Sequence, residues 1–97
     1  MPKRIHEINE LGHLVFGGCD TVELAKTYGT PLYVMDAAQI DAQMKECVRA
    51  MKDQFTAYKV FYASKAFCSK AIYKMAKKNG LHLDAVSAGE LKMALES

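Results

Sequence analysis

Of the eleven lysines in this 97-residue sequence, Lys65 is the one whose position could do chemistry. The other ten fall near the termini, on helix faces or at a strand entry. Lys65 follows Val60-Phe61-Tyr62-Ala63-Ser64, an apolar run that reads as a buried strand, and therefore sits at that strand's carboxyl end. In βα architectures functional side chains gather at that end. An ammonium group removed from water there must meet a carboxylate, or its pKa falls. A lysine with a lowered pKa is a nucleophile for aldehydes and forms Schiff bases. Position alone also allows the plainer reading, a lysine that closes a strand and faces solvent.

The other reactive side chains are less promising. Cys19, Cys47 and Cys68 are odd in number and widely spaced, with no CxxC pair and no histidine near enough to complete a zinc pattern. They read as free thiols of a reducing compartment, with Cys68 a small buried thiol. His6, His13 and His82 are scattered and read as surface or packing residues, so no metal is expected. Gly17-Gly18 is the only adjacent glycine pair, and ahead of an Asp-capped helix it is a poor phosphate cradle. No GxGxxG and no Walker loop occurs.

The elements that must position Lys65 are well signalled. Asp20-Thr21-Val22-Glu23 caps a short helix over Thr21–Tyr28, closed by Gly29 and Pro31. Leu32-Tyr33-Val34 is β-rich and predicts a strand. Asp36 opens the longest helix, Ala37–Gln54, whose stripe is Ile40, Met44, Cys47, Val48 and Met51. Tyr58–Ala63 predicts a parallel strand covered on both faces. A helix over Phe67–Lys78 is expected to bury Ala71, Ile72 and Met75, to expose Lys70, Lys74, Lys77 and Lys78, and to stop at Asn79-Gly80. Leu81–Val86 predicts another strand, and Ser87-Ala88-Gly89-Glu90 is a capping box launching a last helix. Strand and helix alternate without a hairpin signal, which implies βαβ units and a parallel sheet.

A sheet of two or three parallel strands has open edges and uncovered helix faces. An eight-stranded α/β barrel needs roughly 200 residues or more. The 97 residues therefore read as the N-terminal piece of a longer protein, inactive by itself. A formal charge of +2 is too small to propose nucleic acid as partner. The longest run of large apolar side chains, Leu32-Tyr33-Val34-Met35, is far short of a membrane span of roughly 20 residues. The basic start Met1-Pro2-Lys3-Arg4 lacks an apolar signal core. A soluble cytoplasmic protein is expected.

Tyr62-Ala63-Ser64-Lys65-Ala66-Phe67 resembles the lysine-bearing strand of the fold-type III pyridoxal-phosphate enzymes, the alanine racemase-like barrel group. Gly29-Thr30-Pro31-Leu32-Tyr33-Val34-Met35-Asp36 resembles the GTPLYVYD opening of the diaminopimelate decarboxylase family, with Met35 in place of the commoner tyrosine. Leu83-Asp84-Ala85-Val86-Ser87-Ala88-Gly89-Glu90-Leu91 is similar to that family's LDVVSGGEL segment, and Gly18–Ala25 to its early helix.

The resemblance implies an α/β fold: the N-terminal part of a (β/α)8 TIM-type barrel, preceded by a strand of a second β-domain. Residues 1–36 would extend into the β-domain, with His13-Leu14-Val15-Phe16 among its strands, and residues 37–97 would be the first βα units of the barrel. It implies pyridoxal 5'-phosphate as cofactor and decarboxylation of meso-diaminopimelate to L-lysine, a small amino acid, by a homodimer when full length. Lys65 corresponds to the lysine that anchors the cofactor as a Schiff base, and Ala63 to a small residue facing the cofactor. Asp84 corresponds to a strand-end acid near the lysine and the cofactor ring; the alternative is a structural acid capping the turn before Ser87. Ser87 and Glu90 are better explained by capping than by catalysis. The phosphate loop, the acid for the pyridine nitrogen, the substrate arginines and a later cysteine and tyrosine are expected beyond Ser97. A sister decarboxylase for another basic amino acid or a carboxynorspermidine-type substrate shares the lysine strand, as does a non-catalytic cofactor-binding homologue.

Overall fold

The chain's first helix begins where four donors converge on one carboxylate. Asp20 Oδ1 accepts from the backbone N–H groups of Val22 at 2.8 Å and Glu23 at 3.3 Å, capping α1 (Thr21–Tyr28) as its sequence predicts. Oδ2 accepts from Asn9 Nδ2 and His13 Nδ1, each at 2.9 Å. The computed structural model describes residues 6–97; the basic opening, Met1–Ile5, and the side chain of His6 lie outside the described residues.

Ahead of α1, three short strands, β1 (His6–Ile8), β2 (Leu14–Phe16) and β3 (Cys19–Asp20), form an antiparallel sheet in the order β1-β2-β3. The expectation of a chain without hairpins fails here. Gly17 and Gly18 are the whole connection between Phe16 and Cys19, which are register partners. Both have positive φ, 58° and 81°, as a two-residue hairpin turn matching strand twist requires. The glycine pair is a turn device.

Leu32–Val34 forms no strand. The β-rich residues are there, but among the described residues no neighbouring strand supplies a ladder, and a strand without a partner leaves its backbone groups to water. Asp36 then accepts from the N–H of Gln39 at 3.2 Å, and α2 (Ala37–Gln54) has the predicted bounds. Within its stripe Met44 is buried at 6 % exposure, and Ile40, Val48 and Met51 are half-buried. Cys47 is exposed, against expectation: it lies at the stripe's margin, where a small step in helix phase moves a side chain into solvent. The chain divides within α2 into two compact units, Met1–Gln43 and Met44–Ser97.

The second unit is built on a βαβ succession: β4 (Phe61–Ala63), a 3-10 turn (Ser64–Ala66), α3 (Lys70–Lys78), β5 (His82–Asp84) and α4 (Ala88–Leu95). β4 and β5 are parallel, pairing Phe61 with His82, Tyr62 with Leu83 and Ala63 with Asp84. Both strands are shorter than Tyr58–Ala63 and Leu81–Val86, because only residues with a ladder partner are held extended. α3 starts at Lys70 instead of Phe67, since the chain first spends three residues in the 3-10 turn, and Ser69 then caps the helix through the N–H of Ile72 at 3.2 Å. The buried residues of α3 are Ile72, Tyr73 and Ala76. Ala71 is exposed and Met75 half-buried, so the inward face is rotated one residue from the expected one; the large Tyr73 ring takes the inner position.

Lys70, Lys74, Lys77 and Lys78 face out as expected. The helix ends at Asn79-Gly80 with the N–H of Leu81 on the Ala76 carbonyl at 2.9 Å and that of Gly80 on Lys77 at 3.1 Å. That is the Schellman pattern, for which Gly80 supplies φ +78°. Ser87 caps α4, accepting from the N–H of Glu90 at 3.1 Å and donating to its carboxylate at 2.9 Å. The core of this unit lies between α3 and its neighbours: Ile72, Tyr73 and Ala76 are 4 %, 2 % and 0 % exposed. Burying side chains of this size contributes about 1.5–3 kcal/mol apiece for the larger ones.

Candidate functional site

The alternation of side chains along β4 sorts the residues around Lys65 into two sets. Tyr62 and its register partner Leu83 are half-buried, and Leu83 lines a small cavity with Tyr73, Lys74 and Lys77 of α3. Phe61, Ala63, His82 and Asp84 occupy the other face, and all four are exposed. The expectation of a strand covered on both faces is therefore corrected: within this unit β4 and β5 carry helix on one side only. On the open face the Phe61 and His82 rings, the first register pair of the two strands, lie obliquely with centroids 5.3 Å apart. At its carboxyl end lie Ala63 and Asp84, register partners on adjacent parallel strands.

Lys65 continues from that end. It is the middle residue of the 3-10 turn and is exposed. The expected desolvation of its ammonium group is not met, because no element covers that end of the sheet within this unit. Among the described residues its amine has no ion-pair or hydrogen-bond partner. Four methylenes let the amine reach over the sheet end from its root.

What lies beneath the turn is ordered. Ser64, just before Lys65, is fully buried, and its hydroxyl has no hydrogen-bond partner. The Tyr62 hydroxyl donates to the carbonyl of Phe67 across the turn, and burial holds that phenol above the usual tyrosine range. Cys68 Sγ is 3.2 Å from the Tyr73 hydroxyl and 3.4 Å from the sulfur of Met93 on α4. The thiol beside it raises the pKa of Tyr73. Cys68 is thus a packing thiol, half-buried as a small apolar side chain would be. Sequence reasoning missed Tyr62, Ser64 and Tyr73 as the support of this turn. For Tyr62 and Ser64 the alternation with Ala63 and Lys65 was the available signal; Tyr73, on α3, gave none.

Asp84 makes no turn-capping hydrogen bond, and the cap of α4 is Ser87. Among the described residues its carboxylate has no partner. Ser87 and Glu90 are spent on each other and on the backbone, with the N–H of Val86 also reaching Glu90 at 3.4 Å. An unpaired primary amine, an unpaired carboxylate and a residue with only a methyl side chain thus share one open strand end. A primary amine is the group that can bond an aldehyde carbon covalently, and a carboxylate near such a bond would favour its protonated nitrogen. Among the described residues no cluster of ligands could hold a metal ion, and no helix is long and apolar enough to cross a membrane.

Known proteins resemble this chain over most of its length. Residues 40–97 match the family model described as pyridoxal-dependent decarboxylase, pyridoxal binding domain. A diaminopimelate decarboxylase of Bacillus methanolicus is 50% identical over 93 residues, covering 92% of this chain and 21% of the relative. That of Halalkalibacterium halodurans is 48% identical over 90 residues, covering 93% of this chain and 20% of the relative. A crystal structure of the diaminopimelate decarboxylase from M. jannaschii in complex with L-lysine superposes with a TM-score of 0.76 at 35% identity, covering 94% of this chain and 22% of that one. The chain spans about a fifth of the length of these relatives. With its residues 40–97 matched by that model, this chain belongs to the pyridoxal-binding domain family of the pyridoxal-dependent decarboxylases.

Proposed function

We propose that the protein to which these residues belong is a pyridoxal-phosphate-dependent carboxy-lyase that decarboxylates meso-diaminopimelate to L-lysine. The observation that carries this reading is the exposed, unpaired Lys65 beside Ala63 and Asp84, in a chain up to 50% identical to diaminopimelate decarboxylases. When bound, the cofactor supplies an electron sink for the carbon that loses carbon dioxide.

This chain's own residues bind and orient. Lys65 is the residue that would hold the cofactor, through its primary amine and the cofactor's aldehyde carbon. Asp84 is an acid at the same strand end, placed to keep a neighbouring nitrogen protonated and to favour its positive charge. Ala63 excludes bulk from the face on which the ring lies. We further read β4-α3-β5-α4 as the first units of a (β/α)8 barrel and residues 1–36 as part of a second β-domain. The open β4–β5 face then becomes barrel interior, and the protein works as a cytoplasmic homodimer.

The test is to supply the full-length protein with pyridoxal phosphate and meso-diaminopimelate and to measure carbon dioxide and L-lysine in equal amounts. Turnover of ornithine, arginine or carboxynorspermidine in place of diaminopimelate would move the protein to a sister specificity. A protein that binds the cofactor and turns over none of them would be a carrier.

A further inference from the structure

We propose that Tyr62 is a positioning residue for Lys65, acting through the hydrogen bond that its hydroxyl makes across the lysine-bearing turn. The proposal rests on the reading of Lys65 as the cofactor anchor. The Tyr62 hydroxyl donates to the Phe67 carbonyl, five residues on. The span it closes contains the whole of Ser64–Ala66, with Lys65 at its middle. A 3-10 turn of three residues has poorly aligned hydrogen bonds and little internal strength. Something outside the turn must hold it.

Two side chains do. Ser64 is sunk into the helix-facing side at 0 % exposure, which fixes the backbone before Lys65. The Tyr62 bond fixes the backbone after it, and Cys68 continues that tether to Tyr73 on α3. The lysine therefore extends from a root fixed on both sides, two residues beyond Ala63. Neither end of the Tyr62 bond belongs to the core of this unit: Tyr62 is half-buried and Phe67 exposed, whereas the packing rests on Ile72, Tyr73 and Ala76. The bond thus controls where Lys65 stands more than whether the unit folds. Burial keeps the phenol protonated, and so a donor, well beyond neutral pH.

The experiment compares the full-length protein with its Tyr62→Phe variant, which loses one oxygen, and with Ser87→Ala, which loses the cap of α4 on another turn. Two quantities are read: amide hydrogen exchange of residues 65–68 in cofactor-free protein, and the rate at which added pyridoxal phosphate becomes borohydride-trappable on Lys65. Tyr62→Phe should raise the first and lower the second by roughly five- to tenfold each, the size of one ordinary hydrogen bond. Its melting temperature should fall no further than that of Ser87→Ala, and Ser87→Ala should change neither quantity. Exchange and trapping within twofold of the parent, with the parent adduct on Lys65, would overturn the role of Tyr62 and leave the anchor intact. Failure of Tyr62→Phe to fold would also overturn it, since the bond would then serve the fold. A parent adduct on a different amine would overturn the anchor and this proposal together.

Discussion

Two acids in this chain end a strand shortly before a helix: Asp20 closes β3 and Asp84 closes β5. Asp20 is surrounded. Two backbone N–H groups, an amide and an imidazole all donate to it, and the hydrogen bond from His13, ahead of the others, holds its pKa at about 2. Asp84 is exposed and, among the described residues, takes no donor. Lys65, at the same sheet end, has no partner either. A polar group whose bonds are all made within the fold has its energy committed to structure. One left open beside another of opposite charge is free to engage something else. The contrast separates a region that maintains shape from a region that awaits a ligand, and each acid tells which region it is in.

The sharpest way to break that contrast is to remove the open amine. In the full-length protein, Lys65→Ala should abolish the borohydride-stable adduct and the visible band of bound pyridoxal phosphate, and lower decarboxylation on the order of 1000-fold or more. Its thermal stability without cofactor should match the parent, because the amine contacts nothing that folding needs. An unchanged visible spectrum would place the anchor elsewhere.

Ile72→Ala tests the other side of the division. Ile72 is 4 % exposed in the core beneath the turn, and the truncation should cost about 2–5 kcal/mol in a denaturant titration. Trapping should still occur on Lys65 in the fraction that remains folded. Loss of the adduct from folded protein would mean that core and open face are one cooperative site. Asp84→Asn should have a smaller effect, weakening cofactor binding by on the order of tenfold through loss of a nearby negative charge, with no fall in melting temperature. A drop in stability with unchanged binding would return Asp84 to a structural role.

These two regions were not equally legible in the sequence. Helix ends are dictated by neighbours a few residues away, so Asp20, Gly29, Asp36, Asn79-Gly80 and Ser87 mark them where the structure has them. Lys65 was legible because a cation at the end of an apolar run is out of place. What depends on a distant partner was not. The antiparallel pairing of β1 with β2 gives no local sign, and Leu32–Val34 has strand residues without a strand to join. Asn9 and His13 meet across their own four-residue turn, but Asp20 reaches them only because the β2–β3 hairpin turns at Gly17-Gly18. His13 read as a packing residue is half right: it packs, and it also donates. Tyr73 taking the inner place of α3 is likewise a matter of which side the sheet lies on, which helical periodicity fixes only to within a residue or so.

The mildest prediction concerns the satisfied acid. The carboxylate of Asp20 is stabilised in the folded chain, its pKa lowered from 3.8 to about 2. Below its ordinary pKa the unfolded chain binds a proton that the folded chain refuses, so folding is opposed. The contribution is therefore fully present above about pH 4 and is lost as pH falls toward 2. Protonation removes the acceptor that Asn9, His13 and the first turn of α1 share, so hydrogen exchange of residues 9–23 should accelerate across that window. Asp20→Asn should flatten that acid dependence while keeping much of the cap, because asparagine accepts the same backbone bonds. The amides of residues 65–68 should not follow this titration in either protein. If they did, the two acids would report on one coupled structure, and the separation of a satisfied region from an open one would fail.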